Sequence, residues 1–212
     1  MLLCFAFFGV ARADVVEIGE QTGTNAYLPT YSFYNYSLTQ QIYTAEEIGM
    51  AGTINSIAFK STGSEKTRTL DIYLVATDKE TFSGTSDWIT ATADDLVYSG
   101  SVTFTAGEWI TLELTNAFEY DGTSNLAVIV DDNTGSYSSG LNCAIFSATS
   151  MALRVYSDGT NYDPTAPTYT GAVLSVKNCL QLDITPVGGI VCDKPESIEV
   201  SNVTTDGATV TW

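Results

Sequence analysis

The strongest constraint on the fold of this chain is a period of two. Apolar and polar residues alternate in short runs, and turn-forming residues separate the runs. In residues 69–76, Leu70, Ile72, Leu74 and Ala76 share one face, while Asp71 and Tyr73 take the other. In residues 109–114, Ile110, Leu112 and Leu114 oppose Trp109, Thr111 and Glu113. Residues 125–131 are apolar on both faces, which predicts a central strand. Further strands are expected over 32–44, 53–61, 96–105, 141–147, 151–157 and 172–184. Turns are signalled at Tyr120-Asp121-Gly122, Asn133-Thr134-Gly135 and Asp158-Gly159. Helical spacing is nearly absent; only residues 78–80 and 91–95 suit a turn or two. Roughly nine or ten strands at this spacing predict an all-β fold, a two-sheet β-sandwich of jelly-roll type.

Composition narrows the function. The chain has 8 Lys+Arg against 25 Asp+Glu, a net charge of −17, and no histidine. Without histidine, Ser-His-Asp and Cys-His nucleophile systems cannot be built within this chain, nor can histidine-based zinc sites. A strongly negative surface repels phosphate, so no nucleic-acid partner is expected. With 44% hydrophobic and 16% charged residues the chain is globular rather than disordered.

Residues 1–13 read as a signal peptide. An apolar run from Leu2 to Val10 precedes Ala11-Arg12-Ala13, a small-x-small cleavage pattern, with Asp14 as first mature residue. A basic leader segment is missing, so the true start of the signal is expected upstream. The run is far shorter than the ~20 residues that span a bilayer, and no later segment approaches that length. The expected location is secreted or cell-surface. Cleavage removes Cys4 and leaves Cys143, Cys179 and Cys192, an odd number. A Cys143–Cys179 bridge is one pairing, which the sequence does not specify, and Cys143 also reads as core.

The pattern changes after Ile184. Residues 186–194 read as a linker between a sandwich domain at 14–185 and a second segment at 195–212. In that segment Pro195, Ile198, Val200 and Val203 lead to Thr209-Val210-Thr211-Trp212. It resembles the opening strands of a fibronectin type III module, with Trp212 in the place of the tryptophan that packs between its sheets. Two strands cannot bury a core of their own. The chain is therefore expected to be a piece of a longer polypeptide with further domains.

The sandwich segment carries its own resemblance. Residues 18–49, Thr69–Val75, Phe118–Gly122, Val130–Ser136 and Arg154–Gly159 resemble exported multidomain surface proteins of Bacteroidales-type bacteria. In those proteins an N-terminal β-sandwich precedes fibronectin type III repeats. A more distant similarity is to the jelly-roll, cleaved-adhesin domains beside gingipain-type proteases. The resemblance implies a surface or secreted, adhesin-like role and no reaction.

Two residue sets carry candidate chemistry. Asp131 and Asp132 with Asn133, and Asp158 and Asp163 with Asn161, are acidic loop groups of the kind that ligate calcium. The same residues also serve ordinary turns. Tyr31, Tyr34, Trp88 and Tyr162, within a larger set that includes Tyr27, Phe33, Tyr36, Tyr137, Tyr156 and Tyr169, are rings that could form a flat glycan-binding face. The alternative is ordinary half-buried strand residues. Catalysis would have to rest on carboxylates, with Glu113 beside Trp109 as the nearest arrangement, and none is expected. Arg154 is expected to face outward and to pair with one of the many acids. The expectation is a non-enzymatic, adhesin-like or carbohydrate-binding module, whose partner is a glycan or a host or surface protein. The alternative is an accessory domain of a secreted hydrolase or peptidase.

Overall fold

A computed structural model describes residues 13–187, 199–201, 204–205, 207 and 209–211. Most of the expected signal segment, residues 188–194 of the expected linker, Pro195, Ile198, Val203, Trp212 and Cys192 lie outside the described residues. Ala13–Val187 is one compact unit. Its strands are β1 (Asp14–Ile18), β2 (Gly23–Asn25), β3 (Tyr36–Tyr43), β4 (Gly52–Lys60), β5 (Lys66–Thr77), β6 (Leu96–Phe104), β7 (Trp109–Tyr120), β8 (Asn125–Asp132), β9 (Cys143–Ser157), β10 (Ala172–Asn178) and β11 (Leu180–Pro186). Outside this unit, β12 (Glu199–Ser201) and β13 (Thr209–Thr211) pair antiparallel, with Val200 opposite Val210.

The strands form two antiparallel sheets. One has the order β1-β11-β4-β7, and the other β10-β9-β3-β8-β5-β6 with β2 added beside β9. Set aside β2, β9 and β10, and the orders β1-β11-β4-β7 and β3-β8-β5-β6 are those of an eight-stranded jelly roll. The β9–β10 hairpin extends the larger sheet past β3.

The main core lies between the sheets. Ile54, Ile57 and Phe59 of β4, Leu112 of β7, and Leu182 and Ile184 of β11 meet Leu70, Ile72 and Leu74 of β5 and Leu126, Val128 and Val130 of β8. The alternation of β5 holds through Leu74 and ends there, since Ala76 is exposed. The doubly apolar β8 is explained by a second core on the opposite face. Ala127 and Ile129 pack there with Leu38, Ile42, Tyr73 and Leu153. Residues 78–92 cover this face with Phe82, Trp88, Ile89 and Ala91. Burying each large apolar side chain contributes about 1.5–3 kcal/mol, enough to fasten a segment with no regular structure of its own.

This second layer corrects several expectations. Tyr73, assigned by alternation to an open face, is buried. Residues 78–80 form no helix, and 93–95 make a single 3₁₀ turn. A one-turn helix, α1 (Ala45–Ile48), arises where none was expected. Thr44 and Glu47 form a capping box at its start, and Gly49 closes it at φ 75°. Glu47 also takes a 2.6 Å salt bridge from Lys177 of β10, whose side chain is fully buried. Cys143 and Cys179 are both buried free thiols, so that bridge does not form.

Candidate functional site

The strand register places Arg154 opposite Thr39 and Tyr156 opposite Ser37, so these four share a face of the larger sheet. Residues 26–35 lie against that face. Thr39 donates to the Pro29 carbonyl at 2.5 Å, and the Tyr31 amide donates to Ser37 Oγ at 3.0 Å. The loop includes a cis Leu28–Pro29 bond. The rings it carries come down around Arg154.

The arrangement is a cation wrapped in rings. The Arg154 guanidinium carbon lies 4.0 Å from the Tyr27 ring centroid, 5.1 Å from Tyr156 and 5.3 Å from Tyr31. Tyr31 stands edge-on to Tyr27, Tyr34 and Tyr156 at 4.7, 5.1 and 5.0 Å, and Tyr34 lies 4.2 Å from Tyr156. Phe33 and Tyr137, 6.4 Å apart, extend the cluster outward and are 54% and 70% exposed. Open hollows flank it. One of about 240 Å³ is lined by Tyr27, Tyr31, Phe33 and Ser138–Leu141. A second, about 480 Å³, lies between Phe33, Asn35, Tyr137 and Asp158. A third, about 310 Å³, is lined by Arg154, Tyr156 and Thr170–Ala172.

The electrostatics of Arg154 are unusual for so acidic a chain. No salt bridge reaches it among the described residues, although Arg68, Lys79 and Lys177 all have one. Its Nε and Nη1 are buried without a hydrogen-bond partner. Each ring face contributes about 0.5–2 kcal/mol of cation–π attraction but accepts no conventional hydrogen bond. Burial, then the neighbouring phenols Tyr27 and Tyr34, hold the Tyr31 hydroxyl above its ordinary value of 10.0, and Arg154 opposes them. Burial and Tyr156 act likewise on Tyr34. Both phenols are neutral donors at physiological pH.

A buried polar strut fixes this platform from below. Arg68 of β5 is 1% exposed. It donates from Nε to Asp132 Oδ2 at 2.8 Å, from Nη1 to the Ser136 carbonyl at 2.6 Å, and from Nη2 to the Tyr34 carbonyl at 3.0 Å. Asp132 also accepts from the Thr30 hydroxyl and, through Oδ1, from the Thr134 amide at 3.0 Å. The two ring-bearing loops are joined directly by Ser138 N to Ser32 O at 2.6 Å and Ser32 Oγ to Ser138 O at 3.1 Å.

The predicted site residues thus divide. Tyr31 and Tyr34 are at the centre of the cluster. Trp88 and Tyr162 are not exposed rings: both are buried in the second core, because residues 78–92 and the 158–171 loop fold onto the outer sheet face. Trp88 Nε1 donates to the Tyr169 carbonyl at 2.7 Å, and Tyr162 stands edge-on to Tyr169 at 4.8 Å. Arg154, expected to meet an acid, meets tyrosines.

The four predicted carboxylates differ in their hydrogen-bond partners, although Asp132 and Asp163 both act on Asp131. Asp132 is fully buried in the Arg68 pair. Asp131 accepts from Asn133 Nδ2 at 3.1 Å, and the same amide reaches Asp71 at 3.0 Å. Burial, opposed by the Asn133 bond and reinforced by Asp71, Asp132 and Asp163, pushes the Asp131 carboxyl up to about 7. Asp158 accepts from the Asn35 amide at 3.3 Å. Asp163 closes its own turn onto the Thr165 amide and hydroxyl at 2.8 and 2.7 Å. Among the described residues no three acidic or cysteine side chains come together as a metal would need. Glu113 lies elsewhere, on the open face of the smaller sheet, where it lines a hollow with Asp183 across Ser56.

Arg68 and Arg154 are the members of this cluster least legible in the sequence. The only signal in the sequence was their rarity among acids. Comparison with family models, curated proteins and solved structures yields no match. Among the described residues no helix is long and apolar enough to cross a membrane.

Proposed function

We propose that the sandwich is a non-enzymatic, adhesin-like carbohydrate-binding module of an exported protein, and that its binding face is the aromatic cluster around Arg154. The observation that carries this reading is the pairing of open rings with an inner ring cluster already ordered. Phe33 and Tyr137 present apolar faces to solvent, where scattered exposure would be ordinary but two adjoining rings beside a hollow are not. A sugar stacks its C–H face on such rings, and the neighbouring phenols, Asn35 and Asp158 hydrogen-bond its hydroxyls. The inner cluster is held before any ligand arrives, so little ordering entropy is lost on binding.

A neutral and acidic glycan array probed with the full chain tests the reading. Phe33→Ala and Tyr137→Ala, at exposed positions, are expected to lower binding by roughly tenfold each while the melting temperature stays within ~2 °C. Blank arrays, or binding untouched by both substitutions, refute it.

A further inference from the structure

We infer that the cluster selects a saccharide bearing a carboxylate, with Arg154 as the group that recognises it. The inference rests on the glycan-binding reading above and adds the charge class of the sugar.

Two Arg154 nitrogens lack an acceptor. A guanidinium has five N–H donors and keeps its charge at any physiological pH. Enclosing two of its nitrogens without acceptors is costly, because a buried donor left unpaired forfeits its hydration. Acids greatly outnumber bases in this chain, so a carboxylate neighbour would be the easy solution. The other enclosed cations have that solution: Arg68 meets Asp132 and Lys177 meets Glu47. Among the described residues the groups that meet the charge of Arg154 are the faces of Tyr27, Tyr31 and Tyr156, which attract it and leave Nε and Nη1 unmet.

Nε and Nη1 are the enclosed nitrogens, and Nη2 is not among them. Arg154 lines the hollow that also contains Tyr156 and Thr170–Ala172. A carboxylate entering there gains a charge-assisted hydrogen bond at the Nη2 edge and the full attraction of a charge that no protein group neutralises. The Tyr27, Tyr31 and Tyr156 rings beside the guanidinium lower the local dielectric and strengthen that attraction.

The remaining surroundings limit the ligand to few charges. Asp158 lines the neighbouring hollow with Phe33, Asn35 and Tyr137, so the far side of the platform is acidic. A polysulfated chain would meet one favourable cation and a net charge of −17. A sugar with one carboxylate within reach avoids this conflict. Its acidic group sits over Arg154, and its neutral part lies along Phe33 and Tyr137, with Asp158 and Asn35 as partners for hydroxyls.

Calorimetry on the full chain tests this with tetragalacturonate against its methyl ester, and with sialyllactose against lactose, at low ionic strength. The expected result is a preference of roughly tenfold or more for the acid in at least one pair. Preference in the first pair alone identifies a uronic acid, in the second alone a sialic acid, and in both shows that the carboxylate suffices. Arg154→Gln is expected to close the gap, whereas Phe33→Ala weakens acid and neutral forms alike. Equal binding of acid and neutral partners overturns the inference and leaves the glycan-binding reading standing. A gap that survives Arg154→Gln in a chain with native near-ultraviolet circular dichroism overturns the assignment to Arg154. No binding to any of the four probes, with a blank array of neutral glycans, overturns both readings. The wild-type acid–neutral comparison needs no variant and decides the charge class of the sugar even if Arg154→Gln does not fold.

Discussion

Arg68→Met is the most informative single perturbation of this molecule. The side chain donates to three acceptors from three different places: Asp132 of β8, the Ser136 carbonyl and the Tyr34 carbonyl. Its pair with Asp132 is closed to solvent, with side-chain exposures of 1% and 0%. Removing one member of such a pair costs about 3–5 kcal/mol, because the other charge is left buried. The Thr30 and Thr134 bonds to Asp132 remain and soften the loss, while two orphaned carbonyls add to it, each by about 1 kcal/mol. A net loss of about 4 kcal/mol corresponds to roughly 8–16 °C in melting temperature for a domain of this size. The loss is not only global. Arg68 joins the loop that carries Tyr34 to the loop that carries Tyr137, so the tyrosine signal in near-ultraviolet circular dichroism is expected to fall below the transition. Urea titration of Arg68→Met and of Arg68→Met/Asp132→Asn gives the check. The double variant removes the stranded charge and is expected to regain about 1–3 kcal/mol. A single variant that loses less than about 1 kcal/mol, with its near-ultraviolet spectrum intact, refutes the strut.

Further perturbations reach other parts of the fold. The Asp131 carboxyl is raised to about 7 in the folded chain from an ordinary 3.8, so the folded state binds the proton more tightly than the unfolded state does. The contribution of Asp131 to stability therefore declines as pH rises from about 4 to about 7 and is level above that window. Asp131→Asn should flatten this decline and raise the melting temperature at pH 8 more than at pH 4.5; equal effects at both pH values would contradict the burial argument. Burial pushes the Cys143 thiol up to about 12 and raises that of Cys179. Peptide mapping after iodoacetamide at pH 8 should find both unlabelled until urea is added, and rapid native labelling would show that the core opens. Gly171 has no room for a methyl group: a Cβ there would lie 2.5 Å from the Arg154 carbonyl oxygen and 2.7 Å from the Trp88 ring. Gly171→Ala should cost about 1–3 kcal/mol, and a neutral outcome in thermal melts would mean the 158–171 loop yields easily.

The legibility of the fold followed the range of the forces that set it. Period-two alternation located β5, β7 and β8 because a strand face is decided by neighbours two residues apart. The doubly apolar character of β8 stated that both its faces would be covered. It did not state by what. That depended on residues 78–92, whose polar-looking stretch around Trp88 carries Phe82, Ile89 and Ala91 onto the outer sheet face. Ring exposure is not legible there for the same reason: whether Trp88 or Tyr162 meets solvent is a property of the loop that lands on it. The capping box at Thr44 and Glu47 was local and readable, yet it was hidden among strand signals.

Acidity, the lack of histidine and a strand-rich pattern were settled by the amino-acid sequence itself, and with them the all-β class and the exclusion of histidine chemistry. Tertiary structure alone decided which charges meet. Asp132 lies 64 residues from Arg68 and is brought to it by the antiparallel β5–β8 register. Arg154 is carried by the β3–β9 register to a face where a loop more than a hundred residues earlier supplies rings instead of carboxylates. Coulomb attraction and ring contact act over a few ångströms and are indifferent to distance along the chain. Alternation fixes where a side chain points, but only the folded register determines what it meets.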